Sequence, residues 1–350
     1  MAKKLKILIL LFSLLFLTIS ISILLNADSV NIAGTEKKKV FDKQGSILTV
    51  WLPYWDEQRV LESIDIAGNQ IDVALPMWYE LKENGEISRK PSPKRNEIDK
   101  KLRSYGITII PTITNEFEPK RVSVLLGNKE LQKSQIRNLI ELAEKENYEG
   151  WDFDLEQLDE KDKYLYVDFL KLVSEEFEKA NLTLSVTVHP KTGTTADWEG
   201  SKGHDWEGIG KYADEIRIMV YDYHHKKSKA GAITPMSYLK DVTEYALDIL
   251  PHDKIIIGLP MYGYDWVDRN GETVEFDNAM NLINEYEVVK AVRDSESKEL
   301  YFEYEDNGVN HTVWFQDSES VLEKMDVVME YGINKFSFWK LGGEDLNFWN

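Results

Sequence analysis

The segment from Gly150 to Glu156 constrains the fold of this chain more than any other stretch of its sequence. It reads Gly-Trp-Asp-Phe-Asp-Leu-Glu, so acidic residues at 152, 154 and 156 alternate with bulky apolar residues at 151, 153 and 155. Successive side chains of a β-strand point to opposite faces. As a strand, the segment therefore places three carboxyl groups on one face and three large apolar side chains on the other.

Gathering three like charges on one face of a buried strand is energetically costly. Such a cost is typical of sites where shifted protonation states serve chemistry. An exposed edge strand is the alternative, because half-exposed strands often carry their charges towards water. The apolar partners are unusually large, however, and stretches of helical period lie on both sides of the segment. We therefore predict a buried strand that carries a carboxylate cluster.

The overall composition excludes several classes of function. The 350 residues carry a formal net charge of −19, which makes nucleic acid an unsuitable partner. Cysteine is absent, so disulfides, thiol catalysis and cysteine metal sites are excluded. The adjacent pair His224-His225 is not predicted to bind a metal, because neighbouring side chains diverge on an extended chain. We expect neither a metal nor another cofactor.

The N-terminal residues differ from the rest of the chain. Three lysines at positions 3, 4 and 6 precede an uncharged, largely apolar run over residues 7–25. This pattern predicts an export signal or an N-terminal membrane anchor over 1–26, followed by a polar linker over 27–46. The small residue Ala27 favours cleavage, whereas Leu25 and the length of the run favour retention. We expect an exported protein on the extracellular or cell-wall side, held at the membrane by residues 7–25 if uncleaved.

The remainder of the chain alternates strand-like and helix-like segments. Apolar, β-branched runs begin near Ile47, Ile71, Ile107, Gly150, Leu182, Glu215, Lys254 and Lys335. Amphipathic stretches of helical period lie between them, for example over Lys133–Glu146 and Tyr164–Lys179. This pattern predicts an α/β fold, a (β/α)8 TIM barrel over residues 47–350.

The step between the last two predicted strands is much longer than the others. It contains strand-like pieces at 273–276, 299–306 and 311–317 and a helix-like piece at 284–294. We predict a small α+β insertion over 266–315, between strands seven and eight, that forms one wall of a cleft. We expect the protein to be a monomer.

The predicted C-terminal ends of the strands, where such barrels hold their chemistry, carry aromatic and acidic residues. These residues are Tyr54, Trp55, Trp78, Tyr79, Asp154, Glu156, Tyr221, Asp222, Tyr223, Tyr262, Tyr264 and Trp339. Aromatic faces combined with a few carboxylates suit the binding of sugar rings. His189 also lies at a strand end, but we expect it to be a hydrogen-bonded rim residue outside the chemistry.

At this point the sequence resembles a known family. Residues 149–156 resemble the signature D-G-x-D-x-D-x-E of the family 18 glycoside hydrolases, the chitinase-like group. Residues 219–222 resemble that family's M-x-Y-D motif, and Phe338-Trp339 resembles its strand-eight tryptophan. Residues 259–266 and 341–345 resemble the bacterial branch that cleaves cell-wall and spore-cortex peptidoglycan. Glu149 stands where the family has its first aspartate, and we expect a structural adjustment without loss of activity.

The resemblance implies a substrate-assisted retaining hydrolysis in which the acetamido oxygen of the sugar attacks its own anomeric carbon. Glu156 would be the general acid and later the base, with a raised pKa. Asp154 would orient the acetamido group, Asp152 would lie deeper and share a proton with Asp154, and Tyr221 would donate to the acetamido oxygen. The candidate substrate-binding residues are Trp339, Asp222, Met219, Tyr54, Trp78, Tyr262 and Tyr264. Asp222 would contact the substrate or orient a neighbouring side chain. Trp339 would form the floor of a substrate subsite or fill the barrel core.

The substrate is expected to be a polysaccharide that contains N-acetylglucosamine. Peptidoglycan is favoured because two segments resemble the cortex-lytic branch. The tryptophan-rich rim also permits chitin, so a chitinase is the first alternative. A non-catalytic, chitinase-like carbohydrate-binding protein is the second, and the presence of Glu156 argues against it.

Overall fold

The computed structural model describes Lys43 and residues 45–193, 199–288 and 290–350. The predicted export segment over 1–26 and most of the linker over 27–46 lie outside the described residues. Among the residues that are described, no helix is both long enough and apolar enough to cross a membrane.

The predicted α/β barrel is confirmed, and all eight predicted strand regions form parallel strands of one sheet. The sheet contains β1 (Ile47–Leu52), β2 (Val73–Pro76), β3 (Tyr79–Leu81), β4 (Ile87–Arg89), β5 (Thr108–Ile109), β6 (Thr112–Thr114), β7 (Gly150–Asp154), β8 (Thr183–Val188), β9 (Glu215–Met219), β10 (Ile255–Pro260) and β16 (Lys335–Trp339). Strands β11 to β15 belong to a second sheet. The short β4 pairs antiparallel with β3 and adds a hairpin that the sequence analysis did not predict.

The second and third barrel strands are each divided into two pieces. Strand β2 pairs with β5, and β3 pairs with β6, so these pairings close the ring of strands. Pro76 ends β2, and Pro111 separates β5 from β6. Proline has no backbone N–H to donate to a ladder, which accounts for the interruptions at these two places.

The described helices lie between the strands. They are α1 (Glu57–Ala67), α2 (Arg95–Ser104), α3 (Pro119–Leu126), α4 (Lys129–Glu146), α5 (Lys163–Ala180), α6 (Glu199–Lys202), α7 (Trp206–Gly210), α8 (Met236–Ile249), α9 (Phe276–Glu285) and α10 (Ser318–Glu330). Helix α4 begins four residues before the predicted start, because the side chain of Asn128 caps it by accepting from the N–H of Leu131. Both α4 and α5 end at an asparagine in the left-handed conformation, Asn147 and Asn181.

The predicted insertion is a five-stranded antiparallel sheet with one helix. Its strands are β11 (Gly263–Val267), β12 (Asn270–Val274), β13 (Val292–Arg293), β14 (Leu300–Asp306) and β15 (Val309–Phe315), in the order β12-β11-β15-β14-β13. The helix predicted at 284–294 is wrong, because α9 occupies 276–285 and Val292–Arg293 pairs with β14. Ala279 and Ile283 of α9 pack on the sheet, which fixes the helix earlier in the chain.

Charged side chains attach the insertion to the rim of the barrel. Nζ of Lys340 lies 2.8 Å from Oε1 of Glu275, and Arg59 forms an ion pair with the same carboxylate. The N–H of Phe276 donates to the carbonyl of Gly343 at 2.9 Å. Lys340 directly follows the last barrel strand, so these contacts hold the insertion beside the C-terminal ends of the strands.

Candidate active site

The alternation predicted for residues 150–156 is present in the structure. The three apolar side chains belong to the core between the strands and the helices, where Nε1 of Trp151 donates to the carbonyl of Leu139 at 3.1 Å. The three acids face the inside of the barrel. Their exposure rises along the strand, from 0% for Asp152 through 4% for Asp154 to 19% for the side chain of Glu156. The cluster is therefore graded, with its last acid at the open rim.

Asp152 is held by hydroxyl groups from neighbouring strands. Thr112 Oγ1 lies 3.1 Å from its Oδ2, Ser185 Oγ lies 2.6 Å from its Oδ1, and Thr187 Oγ1 lies 3.1 and 3.2 Å from the two oxygens. Nε of Arg217, a fully buried side chain, is 4.0 Å from Oδ1. Three hydroxyl groups and a nearby guanidinium therefore fix the position of the Asp152 side chain inside the barrel.

Asp154 lies above Asp152 with less support. Its Oδ1 is buried and has no hydrogen-bond partner among the described residues. Burial raises the pKa of Asp154 well above its usual range, and the neighbouring carboxyl groups of Glu156 and Asp152 raise it further. Proton sharing between Asp152 and Asp154 stays a prediction.

Glu156 has the raised pKa that a general acid needs. Burial, followed by the charge of Asp222, raises the pKa of Glu156 to about 8. The backbone of Glu156 is fixed by Asn115, a 1% exposed residue directly after β6. The amide of Asn115 donates to the carbonyl of Glu156 at 2.7 Å and accepts from its N–H at 2.9 Å. Asn115 was not predicted as a site residue, and its one signal in the sequence is its place at the end of a barrel strand.

Tyrosines position the second carboxylate of the rim. The hydroxyls of Tyr262 and Tyr264 both donate to Oδ1 of Asp222, the latter at 2.8 Å. Burial of that carboxylate raises the pKa of Asp222, against the two hydrogen bonds, which lower it. Tyr262 and Tyr264 therefore hold Asp222 in place, and their contact with substrate stays a prediction.

Tyr221 lies on the inner face of the barrel and is partly exposed. Burial raises the pKa of Tyr221 well above its usual range, and the carboxyl groups of Asp154, Glu156 and Asp222 add to the effect. The side chain therefore keeps its proton and can donate a hydrogen bond. Its place among the three carboxyl groups agrees with the predicted location in the site.

Aromatic rings form a continuous surface at the rim. The partly exposed ring of Trp339 packs edge-on against the buried Trp51 at 6.0 Å and lies 6.3 Å from Trp55. Trp55 is 55% exposed and contacts Tyr54 at 5.1 Å, and Nζ of Lys90 lies 4.4 Å above the Tyr54 ring. The Trp339 ring thus closes the barrel core and also faces the rim, and its role as the floor of a substrate subsite stays a prediction.

The prediction of Trp78 as a substrate contact is wrong. Its side chain is 1% exposed and packs outside the barrel against Tyr148 and the guanidinium of Arg95. Met77 faces inward instead, in the cluster that fills this side of the barrel. Met219, also predicted to bind substrate, is 7% exposed on the inner face of β9.

Glu149, the departure from the family signature, lies at the opposite end of β7 from Glu156. Its Oε2 accepts from the N–H of Ile109 at 2.9 Å, and its own N–H donates to the Ile109 carbonyl at 3.1 Å. The residue therefore joins the starts of two barrel strands, and its predicted structural role is consistent with this position.

Two histidines complete the surroundings of Glu156. Nε2 of His189, which follows β8, lies 3.5 Å from Oε2 of Glu156. The second, His204, is fully buried. It contacts the backbone of His189, which follows β8, and the backbone of Leu155, which follows β7. His189 was not predicted to take part in the chemistry, and His204 was not identified. A single sequence does not show that a histidine distant in the chain contacts the ends of these two strands.

Comparisons with known proteins agree with this geometry. The family model for Glycosyl hydrolases family 18 matches residues 50–344. The chain is 30% identical over 274 residues to the cortical fragment-lytic enzyme of Bacillus anthracis, a match that covers 75% of this chain and 63% of that relative. The chain thus spans less than two thirds of the relative's length.

Solved structures give the same fold. The Bacillus cereus spore cortex-lytic enzyme SleL superposes with a TM-score of 0.80 at 26% identity, covering 87% of this chain and 72% of that chain. The chitinase of Chromobacterium violaceum ATCC 12472 has a TM-score of 0.80 at 23% identity, covering 87% of this chain and 97% of that chain. At that identity the likeness to the chitinase is a likeness of fold.

Proposed function

Because this chain belongs to family 18 of the glycosyl hydrolases and is a glycosidase, we propose that it hydrolyses β-1,4 bonds next to N-acetylglucosamine in peptidoglycan. The observation that carries the proposal is the graded acid cluster. Glu156 lies at the open rim with its pKa raised to about 8, and Asp154 lies next to it on the same face of the strand. In this arrangement Glu156 supplies a proton at neutral pH, and Asp154 binds a polar group of the substrate.

In the proposed reaction, protonated Glu156 transfers its proton to the glycosidic oxygen as the bond to the anomeric carbon breaks. The acetamido oxygen of the same sugar forms the new bond to that carbon, which gives a cyclic oxazolinium ion. The Glu156 carboxylate then removes a proton from water, whose oxygen attacks the anomeric carbon and reopens the ring. The second step restores the proton of Glu156, and the two successive inversions at the anomeric carbon together retain its configuration.

The neighbouring residues support the sugar's own nucleophile. The buried Oδ1 of Asp154 is placed to accept the acetamido N–H, which turns the acetamido oxygen towards the anomeric carbon. The protonated hydroxyl of Tyr221 donates to that oxygen. Asp152 is held beneath Asp154 by hydroxyl groups from the two adjacent strands.

The preference for peptidoglycan rests on the relatives. Those named as cortical fragment-lytic and spore cortex-lytic enzymes are 30% and 26% identical to this chain. The exposed aromatic surface around Trp55 and Trp339 favours chitin as the second candidate, because it suits a run of neutral sugar rings. For the location, we propose export to the cell-wall side, directed by residues 1–26 and with membrane attachment through residues 7–25. We also propose a monomeric protein.

The test is product analysis. Full-length protein is incubated separately with purified peptidoglycan and with chitin hexamer, and the products are identified by mass spectrometry. We expect peptidoglycan fragments with new N-acetylglucosamine reducing ends, formed faster than products of the hexamer. Cleavage of the hexamer alone would instead identify a chitinase. Binding without turnover at any pH from about 4 to 8, the range in which a shifted glutamate titrates, would identify a carbohydrate-binding protein.

A further inference from the structure

His189 lies close to the catalytic acid and is almost enclosed by protein. The residue is 6% exposed, and its Nε2 is 3.5 Å from Oε2 of Glu156. This distance is slightly longer than a hydrogen bond. Catalytic hydrogen bonds are often long without substrate and shorten in the complex. A small rotation of either side chain brings the two atoms into bonding distance.

His204 fixes the relative position of the two partners. Its Nδ1 accepts from the N–H of His189 at 3.1 Å, so its Nε2 carries the proton and donates to the carbonyl of Leu155 at 3.0 Å. Leu155 directly precedes Glu156. The fully buried His204 therefore joins the backbone at His189 to the backbone at the acid. Nζ of Lys191 in turn donates to the carbonyl of His204.

The surroundings keep both imidazoles uncharged. Burial lowers the pKa of His189 well below its usual range, and His204 and Lys191 lower it further. Burial lowers the pKa of His204 to about 4. A charged imidazole beside Glu156 would stabilise the carboxylate and remove the acid's proton at neutral pH. A neutral imidazole can orient the carboxyl group without that loss.

Other described groups near Glu156 lie on several neighbouring elements. Asp154 lies beside it on its own segment, Asp222 and Tyr221 face it from beyond β9, and Asn115 holds its backbone from the end of β6. The two carboxyl groups add negative charge near the acid. His189, which follows β8, places its Nε2 3.5 Å from Oε2 of the same acid.

Resting on the proposed function, we propose that His189 is a positioning residue for the general acid. Its Nε2–H donates to Oε2 of Glu156, so that Oε1 carries the proton to the glycosidic oxygen. Once that proton has left, the same N–H stabilises the carboxylate that must activate water. His204 acts behind it by setting the separation of the two side chains.

The test compares His189→Phe, which keeps a ring without nitrogen, with His189→Gln, which keeps a donor. For His189→Phe we expect kcat to fall about tenfold with KM changed less than about twofold. We also expect the alkaline limb of the kcat profile to move up by about one pH unit, because the Glu156 carboxylate loses a donor. His189→Gln restores part of kcat and the position of the limb. The exposed His252 provides the matched control, since His252→Phe leaves both unchanged.

An unchanged kcat profile in a folded His189→Phe variant overturns the proposal, because His189 would then only fill space. A downward shift of the limb also overturns it, because the imidazole would then be an acceptor. Imidazole ¹⁵N shifts of the full-length protein provide a second measurement that needs no His189 variant. We expect a neutral His189 protonated at Nε2 from about pH 5 to 8, with its Nε2 shift altered by Glu156→Gln. A charged imidazole or the opposite tautomer contradicts the proposal.

Failure of this inference is distinguishable from failure of the proposed function. If wild-type protein cleaves peptidoglycan, Glu156→Gln does not, and His189→Phe retains the wild-type profile, the function stands and the inference falls. If wild-type protein cleaves neither polymer, the function falls. The ¹⁵N shifts then still decide whether His189 donates to Glu156.

Discussion

Glu156→Gln is expected to lower kcat on peptidoglycan by about 10³-fold, within the range typical of a lost general acid. The amide keeps the shape of the side chain but has no proton of comparable acidity to transfer. The backbone at this position is held by Asn115 through main-chain atoms, so the substitution leaves the acid's place in the barrel intact. We therefore expect KM to change little, since the loss concerns the transition state.

The activity measurement needs a control variant that carries the same substitution at another position. Glu160→Gln makes the same change on an exposed residue near the site, and we expect wild-type kcat. If Glu156→Gln hydrolysed peptidoglycan within about tenfold of wild type, the proton would come from another group and the assignment of Glu156 would be wrong.

The same substitution is expected to stabilise the protein at alkaline pH. The folded protein holds the proton of Glu156 up to about pH 8, whereas an unfolded glutamate releases it near pH 4.3. A raised carboxyl pKa contributes stability that is fully present below the unfolded value and is lost as the pH rises through the folded value. Glutamine carries no charge and avoids this loss. We expect a gain in the free energy of unfolding of up to about 5 kcal/mol at pH 9 and almost none at pH 4.

Urea unfolding at about pH 4 and about pH 9 measures this difference. The direction follows from burial of the carboxyl group beside Asp154 and Asp222, so the gain should grow as the pH rises. Glu160→Gln, whose side chain is exposed, should show no such dependence. A gain of equal size at both pH values would show that the pKa of Glu156 is the same in the folded and unfolded protein, which would contradict the raised pKa.

Local periodicity was sufficient to predict the barrel and the acid cluster. The alternation over 150–156 fixes which side chains share a face, and the spacing of apolar runs fixes the order of strands. The choice of Trp78 rested on its place at a strand end and did not use alternation. Alternation places Val73, Leu75 and Met77 on the inner face and Trp78 on the outer face, against the helices.

Contacts between distant strands could not be predicted from one sequence. Asn115 reaches Glu156 from the end of another strand, and His204 joins Leu155 to His189 across residues far apart in the chain. The hydroxyl groups around Asp152 come from two neighbouring strands and read in the sequence as ordinary β-branched or small residues. Each of these groups reaches its partner because the closed barrel brings distant strands side by side.

The central claim is that the substrate's own acetamido group is the nucleophile. It is tested most directly by comparing kcat on peptidoglycan strands with intact N-acetylglucosamine and on the same strands after N-deacetylation, at saturating concentrations. The account predicts that deacetylation lowers kcat by at least about 10²-fold, because glucosamine has no acetamido oxygen to attack the anomeric carbon. Equal rates on the two polymers would contradict it.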